Sequence, residues 1–157
     1  MTNGFRITLG ALALSMSTLP AFAEGDAAAG EQAFTQCQAC HIVADADGEV
    51  LAGRNSRTGP NLYGMIGRQA GSVEDFRYGN SLVEAGEEGL IWDEETFVAY
   101  VQDPNGFLQE YLDNRRARGQ MSFRVRGEDT ARDLYAFLAT FSDLEDEDEE
   151  EEDAEAM

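Results

Sequence analysis

Cys37-Gln38-Ala39-Cys40-His41 places two thiols three positions apart and an imidazole directly after the second. Thiols at that spacing reach the two vinyl groups of one porphyrin and form thioethers, and the adjacent histidine is placed to ligate the iron. This is the pattern of covalent, c-type haem attachment. The chain's two cysteines and its single histidine all lie in these five residues. Two other chemistries use the same side chains. A redox dithiol of the thioredoxin kind wants a βαβ context, which the flanking sequence lacks. A Cys/Cys/His metal-binding module of the zinc type normally needs a fourth ligand, and no other Cys or His exists to supply it. Haem attachment is therefore the leading reading.

A lone histidine excludes bis-histidine ligation within one monomer. Thioether sulfur is a soft ligand, and His/Met coordination raises a haem's reduction potential. Met65, Met121 and Met157 are the candidates beyond the leader. Met157 ends an acidic tail, and Met65 follows Tyr63-Gly64 in a stretch that reads as packing. Met121 lies in Gly119-Gln120-Met121-Ser122-Phe123, a loop between two helical segments, and a loop can present sulfur without bending a helix. Local chemistry favours Met121 and leaves Met65 as the alternative. A chain with an open sixth position would instead suit a small haem peroxidase.

The elements that must position these groups read as helices. Asp26 caps a first helix running to about Cys40, with Ala33, Phe34, Cys37 and Cys40 on one face. A second begins near Asp93, buries Phe97, Tyr100 and Val101, and stops before Pro104. A third runs from about Glu128 to Phe141 with Leu134, Phe137, Leu138 and Phe141 on one stripe. Short helical turns are expected at Leu62–Ile66 and Gly106–Tyr111, Gly/Pro/Asn-rich loops elsewhere, and no sheet. The expected fold is all-α: about three main helices and short turns wrapped around one covalently bound haem.

Arg6, the apolar run Ile7 to Leu19 and Ala21-Phe22-Ala23 read as a secretory signal peptide over 1–23. Its apolar run covers about 20 Å as a helix, short of the ~30 Å hydrocarbon core, so no stable membrane insertion is expected. Residues 24–142 form one domain, exported to the periplasm. The chain carries 31 acidic and 11 basic side chains, all of the latter arginine, for a net charge of −20. Such a balance excludes nucleic acid as a partner through overall charge. Eleven acids crowd between Asp143 and Glu155, and a like-charge block of this kind predicts a disordered tail over 143–157 that serves solubility. Against this background Arg115, Arg116, Arg118, Arg124 and Arg126 fall within twelve residues around Met121. A local positive patch on an anionic body orients a protein toward a negatively charged partner, and the five arginines are the expected docking face.

In order along the chain come Cys37-Gln38-Ala39-Cys40-His41, Thr58-Gly59-Pro60-Asn61-Leu62-Tyr63-Gly64, Gly67-Arg68, Phe76-Arg77-Tyr78, Ile91-Trp92, Met121-Ser122-Phe123 and Leu134-Tyr135-Ala136-Phe137-Leu138. This series, from about Asp26 to Phe141, resembles the class I cytochrome c family in its bacterial soluble form. The resemblance implies one haem c on Cys37 and Cys40, with His41 and Met121 as axial ligands. It makes Pro60 the carbonyl that accepts the His41 Nδ1 proton, and Tyr78 and Trp92 the aromatics that reach a haem propionate. Arg68 stands near that propionate, Tyr100 beside the methionine sulfur, and Phe123 at the exposed haem edge. It also implies that Gly30 and Phe34 cross Leu134 and Phe137 where the first and last helices meet.

The departures from the family pattern are as specific. The loop between His41 and Pro60 is long and acidic, and Gly106 to Asn114 is extra length that should build one more helical turn. Both resemble the larger bacterial subtype of the c-550/c2 kind. Gly119 stands where the family often has threonine, and arginines stand where its docking faces usually have lysines. The implied function is electron transfer without enzymatic catalysis. The protein would be a monomeric shuttle between a quinol–cytochrome c reductase and a terminal cytochrome c oxidase, a photosynthetic reaction centre or a periplasmic reductase.

Overall fold

The computed structural model describes residues 25–142. The proposed leader (1–23) and acidic tail (143–157) lie outside the described residues. Five α-helices and one small antiparallel pair make up the fold: α1 (Ala27–Ala33), β1 (Ile42–Ala44), β2 (Val50–Gly53), α2 (Asn80–Glu87), α3 (Glu94–Gln102), α4 (Pro104–Tyr111) and α5 (Glu128–Ala139). The architecture is mostly helical, as expected, with five helices where periodicity gave three.

Asp26 caps α1 by accepting from the amides of Ala28 (2.8 Å) and Ala29 (3.2 Å), which satisfies donors that no earlier carbonyl can reach. The α-helix ends at Ala33, short of the expected Cys40. It tightens into a 3₁₀ turn at Phe34–Gln36, and hydrogen-bonded turns from Cys37 to Phe34 and from His41 to Cys37 carry the chain through the motif. Tightening suits this stretch because it re-aims Cys37, Cys40 and His41 toward one side over a few residues.

Helix α3 begins as expected at Asp93, where Asp93 and Thr96 form a reciprocal capping box. The chain then turns at Asp103, and Pro104 occupies the first position of α4, where its missing N–H costs nothing. The turn expected at Gly106–Tyr111 is thus part of a full helix. Between Leu62 and Ile66 the chain makes successive tight turns with no helix.

Two elements depart from the expectations. Ile42–Ala44 and Val50–Gly53 pair antiparallel, with Ile42 opposite Gly53 and an irregularity after Val43. Asp45 closes the hairpin by accepting from the amides of Asp47 (3.0 Å) and Glu49 (2.8 Å), and Gly48 takes φ +84°. Strands of three and four residues are too short to show an alternating pattern. Helix α2, the second departure, starts at Gly79 with no side-chain cap, so no boundary signal marks it.

Helices α1 and α5 cross most closely. A methyl built on Gly30 would run into the Asp133 carbonyl and lie 2.7 Å from Phe137 Cβ, so only glycine permits the approach. The Phe34 and Phe137 rings pack with centroids 5.4 Å apart, and Asp26 N–H donates to Asp133 at 2.8 Å. The expected crossing of Gly30 and Phe34 with Leu134 and Phe137 is present. Around it lies one apolar core including Phe34, Val43, Leu90, Leu108, Leu134 and Leu138, and no charged side chain is buried among the described residues.

Candidate functional site

A cleft of about 330 Å³ opens into this core. Ten residues named from the sequence line it together: Cys37, Cys40, His41, Pro60, Arg68, Tyr78, Trp92, Tyr100, Met121 and Phe123. They come from segments up to 86 positions apart, counting Cys37 to Phe123, and the remaining wall is largely apolar.

Cys37 and Cys40 follow the 3₁₀ turn after α1 and form no disulfide, Cys37 half-buried and Cys40 exposed. Burial, reinforced by the neighbouring Cys40, pushes the Cys37 thiol up to about 11. At neutral pH the thiol is protonated, which is unfavourable for dithiol exchange. Among the described residues no group of three or more His, Cys, Asp or Glu side chains is arranged to hold a metal ion, which weighs against the Cys/Cys/His module.

His41 Nδ1 lies 3.0 Å from the Pro60 carbonyl. A carbonyl only accepts, so Nδ1 carries the proton and Nε2 keeps its lone pair. Burial lowers the His41 pKa, partly opposed by this bond, so the ring is neutral at pH 7. Gly59 lies against the imidazole: a Cβ there would sit 2.7 Å from Nδ1. The ring is therefore wedged between the 59–60 backbone and its own turn, a neutral donor with a fixed orientation, as a metal-ligating histidine requires.

Arg68 donates to the carbonyls of Tyr63 (2.9 Å) and Asn61 (3.4 Å), which fixes a half-buried guanidinium at the cleft. Burial raises the Tyr78 pKa, with Arg68 opposing. Burial also pushes the Tyr100 phenol up to about 12, reinforced by Tyr78, so both hydroxyls stay protonated as donors. The Trp92 and Tyr100 rings stack in tilted contact at 4.9 Å, and Tyr78 packs edge-on against Phe76 at 4.8 Å.

Met121 is half-buried in the irregular stretch between α4 and α5, while Phe123 is 43% exposed at the rim. Met65 also borders the cleft but is 6% exposed and sits in the core cluster. Leu82 of α2 and Gln120 also line the cleft. Neither was anticipated, because α2 itself carried no sequence signal and Gln120 has no distinguishing chemistry. Gly119 has no positive φ, and a Cβ there would meet only ordinary contacts, 3.4 Å to Leu108 and 3.5 Å to the Tyr100 hydroxyl. Gly119→Ala is accordingly expected to leave the fold intact and raise stability by about 0.5 kcal/mol, through lost freedom of the unfolded chain. Denaturant unfolding measures this, and destabilisation beyond 1 kcal/mol would show that the loop depends on glycine.

All five arginines of the expected docking face have exposed side chains. They are not equivalent. Arg124 pairs with Asp103 at 2.8 Å, and Arg118 donates to the carbonyls of Arg115 (3.2 Å) and Ala117 (2.7 Å). Among the described residues Arg115, Arg116 and Arg126 make no ion pair.

A helical shell around an apolar cleft, with paired thiols and an oriented neutral imidazole on its lining, is the architecture of a protein built to hold one covalent haem. No protein-family model matches the chain. It is 60% identical over 116 residues to cytochrome c2 of Rhodovulum adriaticum, covering 74% of this chain and 92% of the relative. It is 54% identical over 132 residues to cytochrome c-551 of Roseobacter denitrificans, covering 83% and 91%. The crystal structure of cytochrome c2 from Rhodobacter sphaeroides superposes with a TM-score of 0.74 at 51% identity, covering 76% of this chain and 98% of that one. The chain belongs to the class I c-type cytochromes, of the cytochrome c2/c-550 type. It is a haem-based electron carrier rather than an enzyme, and its cofactor is one covalently attached c-type haem. No helix among the described residues is long and apolar enough to cross a membrane.

Proposed function

We propose that this protein carries single electrons in the periplasm through a haem c joined to Cys37 and Cys40 and ligated by His41 Nε2 and Met121 Sδ. The donor is a quinol–cytochrome c reductase, and the acceptor a terminal oxidase, a photosynthetic reaction centre or a periplasmic reductase. The observation that supports His41 as a ligand is the 3.0 Å bond from its Nδ1 to the Pro60 carbonyl, which leaves the Nε2 lone pair available to iron. The haem supplies a ferric/ferrous couple. The chain's own residues keep both ligands in place through each transfer and exclude water with a mostly apolar wall. Arg68, Tyr78 and Trp92 offer donors to the propionates, and Phe123 marks the rim where a partner approaches.

Optical spectra and intact mass of the holoprotein expressed with its leader test the whole reading. The expected result is one haem per chain beginning at Glu24, a weak far-red sulfur-to-iron band when oxidised, and no uptake of carbon monoxide when reduced. Protein without a Soret band, or protein that binds carbon monoxide readily, overturns it.

Docking rests on Arg115, Arg116, Arg118, Arg124 and Arg126, with Arg115, Arg116 and Arg126, whose guanidinium groups have neither an ion pair nor a carbonyl partner among the described residues, dominant. Replacing Arg115, Arg116 and Arg126 by Gln together is expected to slow reduction by quinol–cytochrome c reductase about tenfold at low salt. The difference should vanish near 1 M salt, where screening acts within about 3 Å. Stopped-flow rates that are equal at low salt would place the docking face elsewhere.

A further inference from the structure

Six positions around Met121, Gly119 to Arg124, are gripped from both sides by the junction of α3 and α4. Ahead of the methionine, Asn105 Oδ1 accepts the Gly119 N–H at 2.9 Å. Behind it, the Arg124 guanidinium pairs with Asp103 at 2.8 Å, and Val125 N–H donates to Val101 at 2.8 Å. Asp103 caps α4 through the Gly106 amide at 3.1 Å, so it is itself fixed. The segment between these clamps has no regular hydrogen bonding of its own, and besides the packing of Met121 against the core its anchors restrain it.

We propose that Asn105 and Asp103 are positioning residues for the axial sulfur: by holding Gly119 and Arg124 they set how readily Met121 leaves the iron. This rests on the assignment of Met121 as ligand. The two anchors differ in kind. The Asn105 bond is half-buried and neutral, so its loss leaves the Gly119 amide without its partner and is felt in full. The Arg124–Asp103 pair is about half exposed on each side, so it contributes little and is weakened by salt. The loop should therefore open mainly from its Gly119 end.

The test is displacement of the sulfur from the oxidised holoprotein by imidazole, a neutral nitrogen donor, followed by loss of the far-red band. Asn105→Leu removes the acceptor at similar volume and is expected to raise imidazole affinity about fivefold. Asn105→Asp keeps Oδ1 and should stay within about twofold of the wild type. Amide exchange at Gly119 should accelerate in Asn105→Leu and not in Asn105→Asp, a readout independent of the iron. Arg124→Gln, a surface change that the fold tolerates, should raise affinity about twofold at low salt and not at all near 1 M salt. If imidazole binds Asn105→Leu and Arg124→Gln as it binds the wild type, the proposal is overturned while the ligand assignment stands. If Met121→Ala retains the far-red band, the assignment falls and takes the proposal with it.

Discussion

Met121→Ala is expected to convert the carrier into a ligand-binding haem protein. On the proposed ligation, thioethers at Cys37 and Cys40 and the His41–Pro60 bond are untouched by the change, so the haem would stay attached and His41 would stay oriented. What the change would remove is a soft sulfur that favours ferrous iron, so the reduction potential is expected to fall. The far-red band should vanish completely, and the reduced protein should bind carbon monoxide. Met65→Ala is the informative partner. Met65 is 6% exposed within the core cluster, so truncation should cost about 2–5 kcal/mol of stability and leave the band in place. Optical spectra with denaturant unfolding read both outcomes. A band that survives Met121→Ala but disappears in Met65→Ala would exchange the two roles.

The second large effect is expected at Gly30. A methyl there meets the backbone carbonyl of Asp133 and the Phe137 side chain, and neither can rotate away. Helices α1 and α5 would have to separate, disturbing the Phe34–Phe137 contact and the Asp26–Asp133 bond in the same step. Gly30→Ala should therefore destabilise by about 2–3 kcal/mol despite alanine's better helix propensity. Gly30→Leu should reduce the yield of haem-loaded protein severely, because α1 leads directly into Cys37 and positions both thiols. Guanidinium unfolding of the holoprotein and the ratio of haem to protein are the measurements. Wild-type stability in Gly30→Ala would mean that the two helices have slack between them.

Electron transfer without rearrangement explains why these two positions matter most. A carrier works best when its ligands and shell differ little between oxidation states, so its residues are placed to prevent motion. The wedge of Gly59 against His41, the carbonyl-held Arg68 and the Asn105–Gly119 bond each restrain a group at the cleft or the loop beside it.

Much of this was legible in the chain because it is local. Five consecutive residues point to thioether attachment beside a histidine ligand, and the caps at Asp26 and Asp93 lie next to the helices they start. The mostly helical class followed from periodicity, Cys37, Cys40, His41 and Met121 from their own chemistry, and the other six cleft residues from a resemblance spread over ordered motifs. The α1–α5 crossing was implied with them, although only the structure shows why a side chain at Gly30 has no room. Other features left no mark in the sequence. Helix α2 begins without a cap, and the β1–β2 pair is too short for a period. The arginine cluster read as five equivalent charges, yet the fold pairs Arg124 with Asp103 across 21 positions, while Arg115, Arg116 and Arg126 make no ion pair among the described residues.

What the sequence determined by itself was the chemistry that acts between near neighbours: which atoms can bond to a porphyrin and where helices start. What only the tertiary structure decided was which distant groups meet, among them Gly119 with Asn105 and Arg124 with Asp103. Contacts of the first kind depend on backbone geometry over a turn or two. Contacts of the second kind exist only once the core has packed, because each closes a loop whose entropy no single bond can offset.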